Sequence, residues 1–235
     1  MGGKDRVIAG KSKAVVLLSG GLDSTVTGFI AKKEGCEIYA LTVNYGQRHR
    51  HEIGSAEKVA KALGAVDHKV VDLDLRMFGG SALTDDRIKV PNKKSCGIPQ
   101  TYVPARNTIL LSIALAYAET VDADYIYIGA HCLDYSGYPD CRPQFIRRFQ
   151  AMADVATKRA VEGKPIKIMV PLIKMDKKQI IEKGRELVAP FELTRSCYSE
   201  GEISCGTCDS CRIRLEGFRK ACIKDPIKYR GERVK

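Results

Sequence analysis

The chain reads as an α/β protein: a doubly wound, mainly parallel five-stranded sheet with a small C-terminal helical tail. Three observations predict this. Short β-branched or apolar runs alternate with stretches at helical spacing, a pattern that implies βαβ crossovers and parallel pairing. A turn of small residues, Ser19-Gly20-Gly21, stands between the first such run and the first helix, where open parallel sheets collect ligands. Four cysteines crowd a short segment near the C-terminus, which suits a fastened appendage better than another βα unit.

The elements follow in order. Residues 15–18 are the first strand, and residues 24–33 the helix after it. Residues 38–43 form the second strand. Residues 52–63 form a helix, with Ile53, Ala56, Val59, Ala60 and Leu63 at helical spacing. Residues 69–73 are the third strand. Residues 108–118 are a nearly all-apolar, hence buried, helix. Residues 125–128 are the fourth strand, 144–161 a helix and 168–170 the fifth strand. Residues 176–187 are a helix with Asp176 as N-cap, and 209–221 the last helix. Residues 75–101 lack periodicity and carry Gly79-Gly80, Pro91 and Pro99, as a lid or substrate loop would. The expected division is a nucleotide-binding α/β domain over 1–190 and a metal-binding segment over 191–235 packed on it.

The 235 residues suit one large domain with an appendage. No apolar run approaches the roughly 20 residues that span a bilayer, and residues 1–13 lack the apolar stretch of a secretory leader. A cytoplasmic protein is expected. The net charge of +11 favours anionic partners such as nucleotides. Much of the excess lies in the tail, where Arg212, Arg214, Arg219 and Lys220 read as a solvated basic surface rather than a nucleic-acid contact. Nine cysteines are an odd count, so a complete disulfide framework is not expected.

Leu18 to Thr25 carries the chemistry. The turn at Ser19, Gly20 and Gly21 opens onto Leu22, Asp23, Ser24 and Thr25 at a helix start. Backbone N–H groups and the helix dipole there attract an anion. No lysine follows the glycines, so this is not a Walker-type loop. Asp23 is the exception among these residues, since a carboxylate repels phosphate; it points to a bridging metal ion. Cys197-x7-Cys205-x2-Cys208-x2-Cys211 offers four thiolates to one ion, a closed tetrahedral zinc site with no place left for water. The C-x2-C-x2-C run also fits iron–sulfur ligation. Between these motifs, Arg106 can clamp a phosphate or carboxylate and Asn107 can cap the following helix. His131 follows the fourth strand. The loop after it carries Asp134, Tyr138, Asp140 and Arg142, with rings to stack on a heterocycle and carboxylates to accept its N–H groups.

The S-G-G-x-D-S pattern resembles the PP-loop ATP pyrophosphatases, which cleave ATP between its α- and β-phosphates. With Tyr102 to Asn107, the Asp134 to Arg142 loop with its Tyr138-Pro139-Asp140-Cys141-Arg142 stretch, and the cysteine spacing, nearly the whole chain resembles the 7-cyano-7-deazaguanine synthase family. Residues 1–13 are an extension beyond that pattern. The resemblance implies an adenine-nucleotide α-hydrolase-like fold, ATP with Mg2+ at residues 18–25, and one structural Zn2+ per chain. It also implies a reaction: ATP activates 7-carboxy-7-deazaguanine, ammonia forms the amide, and a second activation dehydrates the amide to the nitrile. The substrate is expected at Arg106, Asn107, His131, Asp134, Tyr138, Asp140 and Arg142. A tRNA-modifying PP-loop enzyme and a non-catalytic nucleotide-binding module are the rival readings, and a homodimer stays open.

Overall fold

A computed structural model describes residues 11–46, 51–89, 97–131, 137–199, 201 and 203–230. Five strands, β1 (Lys13–Leu17), β2 (Glu37–Asn44), β3 (Asp67–Asp72), β4 (Tyr125–Tyr127) and β5 (Lys167–Met169), form one sheet in the order β3-β2-β1-β4-β5. Every pairing is parallel. The winding therefore reverses at β1, and the crevice beyond the carboxyl ends of β1 and β4 is the switch point where ligands collect in such sheets.

Alternation along β1 divides the core. Ala14 and Val16 face one layer with α1 (Leu22–Lys33), α6 (Lys177–Glu186) and α7 (Asp209–Lys220). Val15 and Leu17 face the other, with α3 (Arg106–Thr120) and α4 (Pro143–Ala156). The short period of the strand and the long period of the helices thus bury one chain on both sides. Helix α2 (His51–Leu63) packs Ala56, Val59, Ala60 and Leu63 against Leu18 and Ala40. Phe218 and Ala221 share a cluster with Ile180 and Ile181, which seats α7 on α6.

Three expectations need correction. The helix expected over 144–161 breaks at Thr157, which is extended and N-caps α5 (Lys158–Val161) by accepting the Ala160 N–H. A hydroxyl that can bond its own backbone competes with continued helix. Helix α3 is buried on one face only, with Ser112, Ala116 and Thr120 exposed. Arg214 is no solvated tail residue. It is buried, its guanidinium forks onto Asp225 at 2.8 and 2.9 Å, and it donates further to Thr194 Oγ1 and the Phe191 carbonyl. Each of the three guanidinium nitrogens thereby finds an acceptor, as a buried guanidinium requires.

Candidate active site and metal centre

The loop after β1 is held by its own side chains. Ser24 Oγ donates to the Gly21 carbonyl at 3.1 Å and Thr25 Oγ1 to the same oxygen at 2.8 Å. Having given its one proton, Ser24 accepts from Ser19 Oγ at 3.0 Å. Gly21 is the N-cap of α1 and makes no side-chain cap, so the first N–H groups of α1 stay open to an anion. Gly20 is left-handed at φ +78°, and a Cβ there would lie 2.4 Å from the Glu52 carbonyl oxygen. Only glycine lets the first turn of α2 close on the loop.

A cavity of about 330 Å3 opens above the sheet's carboxyl edge, at the small end of the roughly 300–1,000 Å3 common for small-molecule sites. Leu18, Ser19, Gly21, Leu22, Asp23 and Ser24 line it, whereas Gly20 and Thr25 brace the loop from behind. Asp23 meets Lys177 here: the ammonium lies 2.6 Å from Oδ1 and 2.8 Å from Oδ2. His131 Nε2 sits 3.3 Å from both Asp23 Oδ2 and Lys177 Nζ. Its Nδ1 is buried and has no partner among the described residues. Burial alone would raise the Asp23 carboxyl, but Lys177 and His131 outweigh it and hold the group far below the usual carboxylate range. Asp23 is thus ionised and can serve as a hard oxygen ligand.

The opposite wall comes from α3 and its surroundings. Ala105, left-handed at φ +53°, turns the chain into α3, and Arg106 enters the cavity. Its Nη1 donates to Tyr45 Oη at 3.1 Å, and the guanidinium lies 5.4 Å from the Tyr45 ring centre. Tyr138 also lines the cavity, its hydroxyl 2.7 Å from Thr101 Oγ1.

Not every expected residue gathers there. Asn107 lines the cavity but is not the cap of α3; Ala105 holds that position. Instead Asn107 donates its backbone N–H to Asp140 Oδ2 at 3.0 Å and its side-chain amide to the Asp140 carbonyl at 3.1 Å. Asp140 is buried in that role and is not part of the cavity lining. Arg142 is the exposed N-cap of α4, away from the lining. Asp134 lies outside the described residues.

Lys177 and Glu52 are among the lining residues that the sequence did not single out. Lys177 begins α6 in a lysine-rich stretch and looks like a solvated helix start. Glu52, in the first turn of α2, looks like a charge placed for the helix dipole. Burial in the cavity pushes the Glu52 carboxyl up to about 7, although Arg106 and Arg195 oppose the shift.

The cysteine segment builds the remaining wall. Arg195, Ser196, Tyr198, Ser210, Ile213 and Arg214 line the cavity, and the Arg195 N–H donates to the Gly20 carbonyl at 2.9 Å. Directly beyond, the sulfurs of Cys197, Cys205, Cys208 and Cys211 all lie within 4.8 Å of one another. Four thiolates at about 2.3 Å from a tetrahedral metal stand ~3.8 Å apart, and Cys205 and Cys211 are 3.9 Å apart. Backbone N–H groups of Ser199 and Cys205 point at Cys197 Sγ, and those of Thr207 and Cys208 at Cys205 Sγ. Such donors offset thiolate charge. The cluster can hold a metal ion, and with four protein sulfurs the site is closed.

A model of the QueC family, described as queuosine biosynthesis protein QueC, matches residues 13–222. A 7-cyano-7-deazaguanine synthase of Trichormus variabilis is 53% identical over 222 residues, covering 92% of this chain and 98% of its own. That of Methylobacillus flagellatus is 56% identical over 220 residues, covering 92% and 96%. The solved structure of a 4-thiouridine synthetase–RNA complex with bound ATP superposes with a TM-score of 0.50 at 21% identity, over 90% of this chain and 50% of that one. That likeness shows the fold alone. No helix among the described residues is long and apolar enough to cross a membrane. Matched by the family model along most of its length, and more than half identical to relatives over nearly their full span, the chain belongs to the QueC family.

Proposed function

We propose that the protein is an ATP-dependent carbon–nitrogen ligase that converts 7-carboxy-7-deazaguanine and ammonia to 7-cyano-7-deazaguanine, the product for which its relatives are named. The observation that carries this is one cavity in which an open helix N-terminus, the Asp23–Lys177 pair and Arg106 converge. A carboxylate is a poor acyl donor until one of its oxygens attacks the α-phosphorus of ATP. The bond to the bridging oxygen then breaks and pyrophosphate leaves. The N–H groups of Leu22 to Ser24 and the Lys177 ammonium are placed to hold the departing charge. Magnesium bound with ATP would neutralise phosphate charge, and Asp23 is the side chain to hold it. We assign the carboxylate end of the acid to Arg106, with Asn107, His131 and Tyr138 around it. Asp140 and Asn107 keep the α3 end of the cavity in place. Ammonia attacks the acyl carbon, loses a proton, and AMP departs. The amide oxygen then attacks the α-phosphorus of a second ATP and expels pyrophosphate, and loss of AMP and of the two N–H protons leaves the nitrile.

The four cysteines would hold zinc, a structural ion that fastens 191–235 to the α/β domain and sets the cavity wall from Arg195 to Tyr198. ATP, ammonia and a soluble base acid suit a cytoplasmic reaction. Mass spectrometry after incubation with ATP, ammonia and 7-carboxy-7-deazaguanine tests the assignment. The nitrile and about two AMP per nitrile are expected; AMP release without a change in the acid overturns it.

A further inference from the structure

We propose that Glu52 is the residue that reads the guanine-type edge of the substrate, a specificity determinant that separates it from the adenine of ATP. Two carboxylates line the cavity among the described residues, Asp23 and Glu52. Asp23 is engaged by Lys177. Glu52 is not engaged: it projects from the first turn of α2 into the cavity, and no hydrogen bond or ion pair joins its carboxylate to a described residue. Charge without a contacting donor is costly in a partly closed site, and the nearby Arg106 and Arg195 support it only from a distance. Burial thus raises the carboxyl while its acceptor positions stay vacant, so a pair of N–H donors would both fill those positions and favour the ionised form.

Two vacant carboxylate oxygens match two adjacent N–H donors. A guanine-type ring presents that pair, its ring N1–H beside the exocyclic amine. An adenine edge presents one amine beside a bare ring nitrogen, which a carboxylate oxygen repels. Beside Glu52, Tyr45, Leu83 and Tyr198 belong to one apolar cluster and line the same cavity, offering flat surface to a heterocycle. The backbone adds rigidity. The Glu52 carbonyl packs against Gly20, whose own carbonyl is held by Arg195, so the carboxylate is carried on the same braced corner as the phosphate loop. Glu52 supplies the acceptor that Asp140, turned toward α3, does not.

This assignment rests on the deazaguanine acid as substrate, and the test separates the two. Calorimetric titrations of wild type and Glu52→Gln are made with 7-carboxy-7-deazaguanine, with the same acid lacking its exocyclic amine, and with ATP. A melting curve and the ATP titration verify the fold. The variant should bind the acid at least about 30-fold more weakly, with ATP affinity within about twofold. Wild type should bind the amine-less acid about 10–100-fold more weakly than the full acid, and the variant should scarcely distinguish them. Equal acid affinity in both proteins overturns the role of Glu52 and leaves the substrate standing, as does a wild type blind to the amine. A parallel fall in ATP affinity also overturns it, by placing Glu52 on the nucleotide. A wild type that binds ATP but neither acid overturns the substrate assignment together with that of Glu52.

Discussion

The Asp140 carboxylate accepts the backbone N–H of Asn107 at 3.0 Å, across 33 residues of sequence. One of the orphan donors at the start of α3 is thereby satisfied from another element. Asp140→Ala should leave that N–H buried without a partner, at a cost of about 1–3 kcal/mol. Urea denaturation should register the loss while ATP affinity holds. Unchanged stability with a large drop in acid affinity would instead put Asp140 on the substrate.

Much of the architecture was legible because it is local. Strand runs such as Ala14–Leu17 and the helical spacing of α2 carry their own periodicity, and the cysteine spacing carries its own geometry. What stayed hidden depends on meetings between distant segments. Lys177 lies 154 residues from Asp23, and nothing in a lysine-rich helix start marks which ammonium turns inward. Arg214 reads as one more basic tail residue until Asp225 and Thr194 are seen around it. Asp140 and Arg142 were legible as a polar loop after a strand, but which of them faces the cavity is set by how the turn at residues 139–141 docks on α3.

The Asp23–Lys177 pair gives a second prediction. Lys177→Met removes the ammonium from a carboxylate that burial already disfavours. Turnover should fall by about 10²–10³, as for loss of one donor to a developing anion. Stability should fall as well, because a partly buried charge loses its partner. Adding Asp23→Asn should recover stability without recovering AMP release, so the two effects on melting are non-additive. Additive stability changes would mean that the pair is not coupled.

The Arg195–Gly20 hydrogen bond links the metal segment to the phosphate loop, two residues from Cys197. Elemental analysis should find one zinc per chain. Cys208→Ser, or removal of zinc by a chelator, should lower the melting temperature and also weaken ATP binding, since the loop loses its outer support. The linkage is reciprocal, so saturating ATP should slow release of zinc to a colorimetric chelator. If zinc leaves at the same rate with and without ATP, the two sites are independent.

Gly129 tests how closely the sheet must approach the nucleotide loop. A Cβ there would lie 2.9 Å from the Ser24 backbone nitrogen and 3.0 Å from the Asp23 carbonyl carbon, both main-chain atoms that cannot swing aside. Gly129→Ala should therefore push the first turn of α1 away from β4 and turn its N–H groups off the phosphates. Gly35 is the control. It is left-handed at φ +87° with nothing within 4 Å of an added Cβ, so Gly35→Ala meets backbone strain alone, about 1–2 kcal/mol. Both variants should melt lower than wild type, but only Gly129→Ala should lose ATP affinity, by about tenfold or more for a displacement that strains each phosphate contact. Equal ATP affinity in the two variants would show that the loop tolerates the shift, and that the close approach of β4 serves packing alone.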